Sequence, residues 1–382
     1  MNRHPRLTCL ITDLALGGAE IQLVRLITYL KSSGWEISVI SILPPEPLVE
    51  DLESIGIPIA YLLKKRRKLV DPRTFFRLVR LIRSGKPFVL LNFMFHANIL
   101  GRIAGRIAGV PIIISSIRNE KFGGAFREFL ERWTGRLDNI TVLNSHFVAE
   151  KLINKGVIQR ERIKVIYNGI PVNQFYSSPD NVRNFVLERL GLSPDRFIWL
   201  TVGRLETQKD YPTLFRALSK IVKQNDQTSL LIVGEGSLRK DLYELARTLS
   251  IEQNVHLLGY RRDVPDLMAA VDAFVLASSW EGLPNAVAEA LASRKPVVVT
   301  SVGGLPEMVE DEISGIIVPP KNPDALAKAM MQIMNMPSTK RREMGDNGRK
   351  YIMSCFEAKQ IYLIWEELLI RQIESHVIRR DF

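Results

Sequence analysis

The stretch Val271-Asp-Ala-Phe-Val-Leu-Ala-Ser-Ser-Trp-Glu-Gly-Leu-Pro-Asn-Ala-Val-Ala-Glu-Ala-Leu291 decides the fold. Its opening run, Val271–Ala277, is short, apolar and nearly continuous, as a strand buried on both faces requires. Pro284 stands where a helix can begin, because the first N–H groups of a helix lack intrahelical partners anyway. The Ala-rich run from Ala286 to Ala292 continues that helix. Glu281 therefore falls on the loop at the helix mouth, and Glu289 falls inside the helix. Strand, loop and helix N-terminus in that order form an anion-binding corner in α/β proteins, since free amide groups and the helix dipole point at it. An acid beside such a corner suits hydroxyl groups on whatever carries the phosphate, such as a ribose or a sugar. Taken alone, the two acids read more simply as a charge complementing the dipole and a solvated mid-helix charge. The rest of the chain shifts that balance.

The same strand–loop–helix pattern recurs on both sides. In the first half, apolar runs stand at Leu7–Ile11, Ile37–Ile42, Ile57–Leu63, Phe88–Phe93, Ile112–Ile117, Ile140–Leu143 and Ile163–Ile166. Helical stretches such as Pro72–Arg83 and Ala97–Ala108 separate them, and Ser145 is placed as an N-cap. Strands alternating with helices predict a parallel sheet covered on both faces. Gly17-Gly18 follows the first strand, where paired glycines let backbone approach a ligand; the spacing is not the dinucleotide fingerprint GxGxxG. His96 stands just past one strand end, and Arg118-Asn119 just past the next. Asn168-Gly169-Ile170-Pro171 is a turn signal and sets a domain boundary near residue 172.

The second half restarts with strands at Phe197–Val202, Leu230–Val233, Val255–Leu258 and Pro296–Thr300, with a helix expected at Pro306. Gly203-Arg204 and Lys209 share the loop after the first of these. Two cations in one loop can neutralise a diphosphate, Arg as a planar fork and Lys as a point charge; separately, each reads as a surface cation. The organisation predicted is α/β, with two Rossmann-like doubly wound domains whose strand ends face each other across a cleft. Residues 1–172 and 173–358 form the domains. Residues 359–382 form a C-terminal helix with Ile361, Ile364, Trp365, Leu368 and Leu369 at helical spacing. That helix either crosses back to the first domain or belongs to the core of the second.

Charge is unevenly spread over the 382 residues. Of the net +11, residues 1–175 carry 26 Lys/Arg against 14 Asp/Glu, and the remainder is nearly balanced. The densest basic run, Lys64–Lys68, has apolar neighbours and suits an anionic membrane surface, or else a solvated loop without a partner. Nucleic acid fits less well, because no aromatic stacking platform or known nucleic-acid motif accompanies it. No signal peptide is expected, and no apolar stretch reaches the ~18 residues of a membrane-spanning helix. The expected location is cytoplasmic, or peripheral on the inner face of the cytoplasmic membrane. Cys9 and Cys355 form no metal or redox motif.

Together these residues resemble the family 4 retaining glycosyltransferases, which have the GT-B fold. The likeness spans most of the chain: Gly17-Gly18-Ala19-Glu20, Phe95-His96-Ala97-Asn98, Asn168-Gly169-Ile170, Gly203-Arg204 with Lys209, Gly234-Glu235-Gly236, and Glu281 with Glu289. The resemblance implies that Arg204 and Lys209, beside Gly203 and Gly234, hold a donor diphosphate and that Glu289 hydrogen-bonds the ribose. It implies that Glu281 meets sugar hydroxyls, that the backbone of Gly282, Leu283, Pro284, Asn285 and Ala286 cradles sugar and phosphate, and that Tyr260 and Arg261 border the base. On the same basis Gly17 and Gly18 approach the diphosphate, His96 sits by the sugar, and Arg118 and Asn119 lie on the acceptor side. Leu283-Pro284-Asn285 departs from the Phe-Gly-Leu of many relatives and is similar to enzymes using UDP-linked hexoses or N-acetylhexosamines. Arg118 stands where many relatives carry His.

The implied reaction is retaining transfer from a nucleotide diphosphate sugar to a lipid-linked saccharide in surface-polysaccharide assembly. No cofactor is expected. No metal is expected either, since no Asp-x-Asp motif or His cluster with ligand spacing occurs. A glycosidase fits poorly: eight helical residues rise about 12 Å, whereas a retaining carboxylate pair stands about 5–5.5 Å apart. A sugar-nucleotide epimerase of the same architecture and a non-catalytic nucleotide-sugar-binding module remain as alternatives.

Overall fold

The computed structural model describes residues 4–63, 72–120, 122–176 and 180–378. The basic run Lys64–Lys68 lies outside the described residues. Two compact units divide the chain, Met1–Gly169 joined by the segment from Lys359 onward, and Ile170–Ala358.

The first unit is built on a seven-stranded sheet: β1 (Leu7–Ile11), β2 (Ile37–Ser41), β3 (Ile59–Tyr61), β4 (Val89–Phe93), β5 (Ile112–Ile117), β6 (Ile140–Leu143) and β7 (Ile163–Val165). Their order is β3-β2-β1-β4-β5-β6-β7, and every pair is parallel. Strands β1, β4 and β5 are buried along their whole length, which is why they read as continuous apolar runs rather than alternating ones. The helix Ala358–Ile378 packs in this unit. Trp35 Nε1 donates to Glu366 at 2.8 Å, and the ring of Trp365 tilts against Phe93. Ile361, Trp365, Leu368 and Leu369 are buried, but Ile364 is 39 % exposed, so the buried stripe is narrower than its apolar spacing suggested.

The second unit repeats the plan with β8 (Phe197–Val202), β9 (Thr228–Val233), β10 (Val255–Gly259), β11 (Ala273–Leu276), β12 (Val297–Thr300) and β13 (Gly315–Val318). The order is β10-β9-β8-β11-β12-β13, again parallel throughout. Strand β13 was not anticipated; only four residues long, it ends just before Pro319. The helix expected at Pro306 is only a 3-10 turn, Leu305–Glu307. A tight turn follows it, in which the Ser314 hydroxyl accepts from the Glu310 amide, before β13 begins.

Both sheets reverse direction at one place. The chain winds outward from β1 to β3 and then starts again on the other side with β4; the second sheet does the same between β8 and β11. Loops leaving two neighbouring strands at such a switch diverge to opposite faces and open a crevice at the strand carboxyl ends. The loops concerned follow β1 and β4 in one unit, and β8 and β11 in the other. Gly17 follows β1 and His96 lies just beyond β4, at the start of the next helix; Lys209 follows β8 and Glu281 follows β11.

Candidate active site

At the switch point of the second unit, the loop after β8 meets the loop after β11. Lys209 Nζ lies 2.5 Å from Glu281 Oε1, with the two side chains 14 % and 6 % exposed. The Ser278 hydroxyl donates to the same oxygen at 2.7 Å, and Gln208 Nε2 donates to Oε2 at 3.0 Å. Gln208 also bonds the Trp280 carbonyl, and its own carbonyl accepts from the Ser279 amide. The Glu281 carboxylate is thus held from both sides, as a buried charge must be. Asp210, in the left-handed region at φ 47°, caps the helix Tyr211–Val222 through the Thr213 amide and accepts from the Ser279 hydroxyl. Tyr211 donates to the Gly203 carbonyl at 3.0 Å. Burial, and secondarily the Glu281 charge, raises its pKa, so it remains a neutral donor.

Glycines allow these loops to close on one another. A Cβ on Gly234 (φ 141°) would stand 2.1 Å from the Gly203 carbonyl oxygen, and one on Gly303 (φ 55°) 2.2 Å from that of Glu281. The Lys209 stem crosses Gly203 so closely that a Cβ there would stand 2.9 Å from Cε. Gly203 and Gly234 are therefore explained by packing that positions Lys209. Arg204 is exposed and has no hydrogen-bond or ion-pair partner among the described residues. Lys209 has one bond committed to Glu281 and two N–H donors left. The two cations of the loop are thus unequal: one is anchored and one is free.

Gly282, Leu283, Pro284 and Asn285 are buried, and Ala286 is half-buried. The helix Asn285–Ala292 begins after Pro284, whose side chain makes no capping hydrogen bond. Glu289 is half-buried on this helix and is not free of partners. Tyr260 is 48 % exposed after β10. Arg261 is committed to Asp263 through two bonds, of 2.8 and 2.5 Å, which raise its pKa. Among the described residues, no group of three or more His, Cys, Asp or Glu comes together to hold a metal.

The first unit has its own switch corner. His96 lies in the first turn of the helix Phe95–Ala108, which starts two residues before the expected Ala97. The residue before that helix, Met94, adopts φ 74° and ψ 163°, a region nearly reserved for glycine. His96 is half-buried. Burial and then the Arg127 charge lower its pKa, against Asp13, which raises it, so the ring is neutral at pH 7. A Cβ on Gly17 would overlap the Glu20 carboxylate, at 2.2 Å from Oε2. The helix Gly18–Ser32 therefore starts against its own acid. Arg118 packs over Phe93 (4.5 Å) and Trp365 (5.8 Å), and donates to Asn168 Oδ1 at 2.8 Å. Its Nε is buried without a partner among the described residues, and burial pushes its pKa down to about 9. Asn119 follows it, half-buried and not free of partners.

Two family models take in most of this chain. Residues 16–174 match Glycosyltransferase Family 4, and residues 182–351 match Glycosyl transferases group 1. The chain belongs to the family 4, group 1 glycosyltransferases. Among curated relatives of this glycosyltransferase, the Escherichia coli UDP-Gal:alpha-D-GlcNAc-diphosphoundecaprenol alpha-1,3-galactosyltransferase is 27% identical over 310 residues, 77% of this chain and 79% of the relative. A Campylobacter jejuni 4-alpha-N-acetylgalactosaminyltransferase, named for a diphospho-undecaprenol-linked disaccharide, is 26% identical over 75% of this chain and 76% of its own. The fold matches that of Anabaena HepE, solved with UDP and glucose, at a TM-score of 0.85 and 22% identity over 96% of this chain and 99% of that one. Sequence reasoning missed Gln208 and Ser278 as holders of Glu281, and Met94 as a strained turn. Gln208 adjoins Lys209, and Ser278 precedes Glu281 by three residues, so adjacency was the only signal available.

Proposed function

We propose that this glycosyltransferase moves a hexose or N-acetylhexosamine, with retention, from a UDP-linked donor to a lipid-linked saccharide in surface-glycan assembly. The observation that carries the reading is the Lys209–Glu281 pair at the switch point, with exposed Arg204 in the same loop as Lys209 and the helix Asn285–Ala292 beginning just after Glu281. Fixed donors and cations around one corner suit an anion whose charge grows as it departs. In the proposed step, the bond between sugar C1 and the β-phosphate oxygen breaks. A bond from the acceptor oxygen to C1 forms on the same face, and the acceptor's proton passes to a β-phosphate oxygen. Arg204 and Lys209 stabilise the departing diphosphate, Glu281 orients Lys209 and meets the sugar, and Glu289 meets the ribose. Tyr260 borders the base. His96, Gly17 and Gly18 are assigned to the sugar and diphosphate, and Arg118 and Asn119 to the acceptor side. These cations supply the charge without a metal or other cofactor.

The lipid-linked acceptor is supported by the names of the two relatives above and by the basic first half of the chain. No described helix is long and apolar enough to cross a membrane, and the working location proposed is peripheral, on the cytoplasmic face. The test is incubation with UDP-hexoses and UDP-N-acetylhexosamines and a polyprenyl-diphosphate-linked sugar, followed by NMR of the new linkage. A product with the donor's anomeric configuration supports the reading. Conversion of the free sugar nucleotide without any acceptor would identify an epimerase instead.

A further inference from the structure

The helix Ala125–Thr134 is turned inside out. Its buried residues are Glu131 and Thr134, while Phe126, Phe129 and Trp133 are 72 %, 59 % and 58 % exposed. The inward face is polar because Arg102, with no exposed side-chain surface, requires it: Arg102 pairs with Glu131 at 2.5 Å and Asp138 at 2.8 Å, and donates to Thr134 Oγ1 at 3.1 Å. The spacing i, i+3, i+7 then puts the three aromatic rings on one outer face. At the carboxyl end of this helix lies a cavity of about 270 Å³ whose lining includes Arg132, Arg136 and Arg162, and no acid. Arg132 Nη2 donates to the Lys155 carbonyl at 2.8 Å and Arg162 Nη1 to the Arg136 carbonyl at 2.7 Å, so each guanidinium keeps further N–H donors for an anion.

We propose that this face seats on a bilayer containing anionic lipid, with Phe126, Phe129 and Trp133 entering the interface and a lipid phosphate taken by Arg132 and Arg136. This deepens the peripheral-membrane part of the reading above and rests on it. An aromatic stripe flanked by arginines complements a surface that is apolar below and negative above. A second copy meeting this face with the same face would instead bring arginine against arginine. The stripe also begins beside residues assigned to the sugar: Arg127 stacks over Phe95, the neighbour of His96, at 5.2 Å.

The test is partition onto phosphatidylcholine vesicles with and without phosphatidylglycerol, and quenching of tryptophan fluorescence by brominated acyl chains. Binding should need the anionic lipid. It should fall about ten-fold or more in Phe126→Ser/Phe129→Ser and in Arg132→Gln/Arg136→Gln. The quenching should vanish in Trp133→Phe, since Trp35, Trp199 and Trp365 are buried and Trp280 is half-buried in the loop after β11 of the second unit. Turnover on a short water-soluble acceptor should stay unchanged in all three variants, which separates membrane seating from catalysis. Unchanged partition in the variants, quenching that survives Trp133→Phe, or a dimer that dissociates in Phe126→Ser/Phe129→Ser while vesicle binding persists would each overturn the proposal. Vesicle binding by a chain that transfers no sugar would leave it standing and count against the transferase reading.

Discussion

Lys209 Nζ stands 2.5 Å from Glu281 Oε1, although the two residues are 72 positions apart in the chain. They meet because β8 and β11 are neighbours at the reversal of the second sheet, so the loops leaving them share one corner. Neither residue is free to act independently, which ties stability to function at this point.

Lys209→Ala removes the ammonium and leaves a buried carboxylate held only by Ser278 and Gln208. Breaking such a pair costs about 3 kcal/mol of stability, and loss of one charge on the leaving group costs about 10²–10³-fold in turnover. Steady-state kinetics on variant protein shown to be folded would test both. Turnover within a few-fold of the parent would refute the assignment of Lys209.

Arg204→Ala is expected to behave differently. Its side chain is exposed and unpartnered among the described residues, so the unfolding midpoint should not move. Donor affinity should fall about ten-fold or more, since a charged bond to phosphate is lost. Titration calorimetry with a UDP-sugar separates the two effects.

Met94 holds a backbone conformation close to glycine-only at the start of the helix that carries His96. Met94→Gly should relieve about 1 kcal/mol of strain and raise the melting temperature. A lower melting temperature would show that Met94 side-chain packing outweighs the backbone term.

Asp138 shares its buried site with Arg102 and a second acid, Glu131, leaving one negative charge in excess. Burial pushes its pKa up to about 6, from the ordinary 3.8. The folded chain therefore binds this proton more tightly than the unfolded chain. The associated stability is fully present below pH 3.8 and is lost as pH rises through about 6. Hydrogen exchange in β5 should accordingly show more protection at pH 5 than at pH 7, beyond the intrinsic rate change, and Asp138→Asn should flatten that difference.

Much of this was legible in the sequence because parallel strands buried on both faces must be continuous and apolar. Leu7–Ile11, Ile112–Ile117, Ile140–Leu143 and Phe197–Val202 were delimited to the residue, and Ser145 caps its helix through the Val148 amide. Gly315–Val318 was not, since it opens on a glycine and runs straight into Pro319-Pro320, which read locally as loop. The aromatics Phe126, Phe129 and Trp133 would pass for a core stripe by spacing alone; only the buried Arg102 network, assembled from distant residues, turns them outward. The pairing of Lys209 with Glu281 depends on strand order, which local sequence does not encode. Their separate candidacies were visible, but their contact was not.

The central claim is that the corner built on Lys209 and Glu281 binds a nucleotide diphosphate sugar. The direct measurement is thermal shift of the purified protein with UDP-, GDP- and ADP-sugars in chelator, where stabilisation follows ligand occupancy. The account predicts a clear upward shift with a UDP-sugar, lost in Arg204→Ala. No shift with any of the three classes, with and without a lipid-linked acceptor, would contradict it.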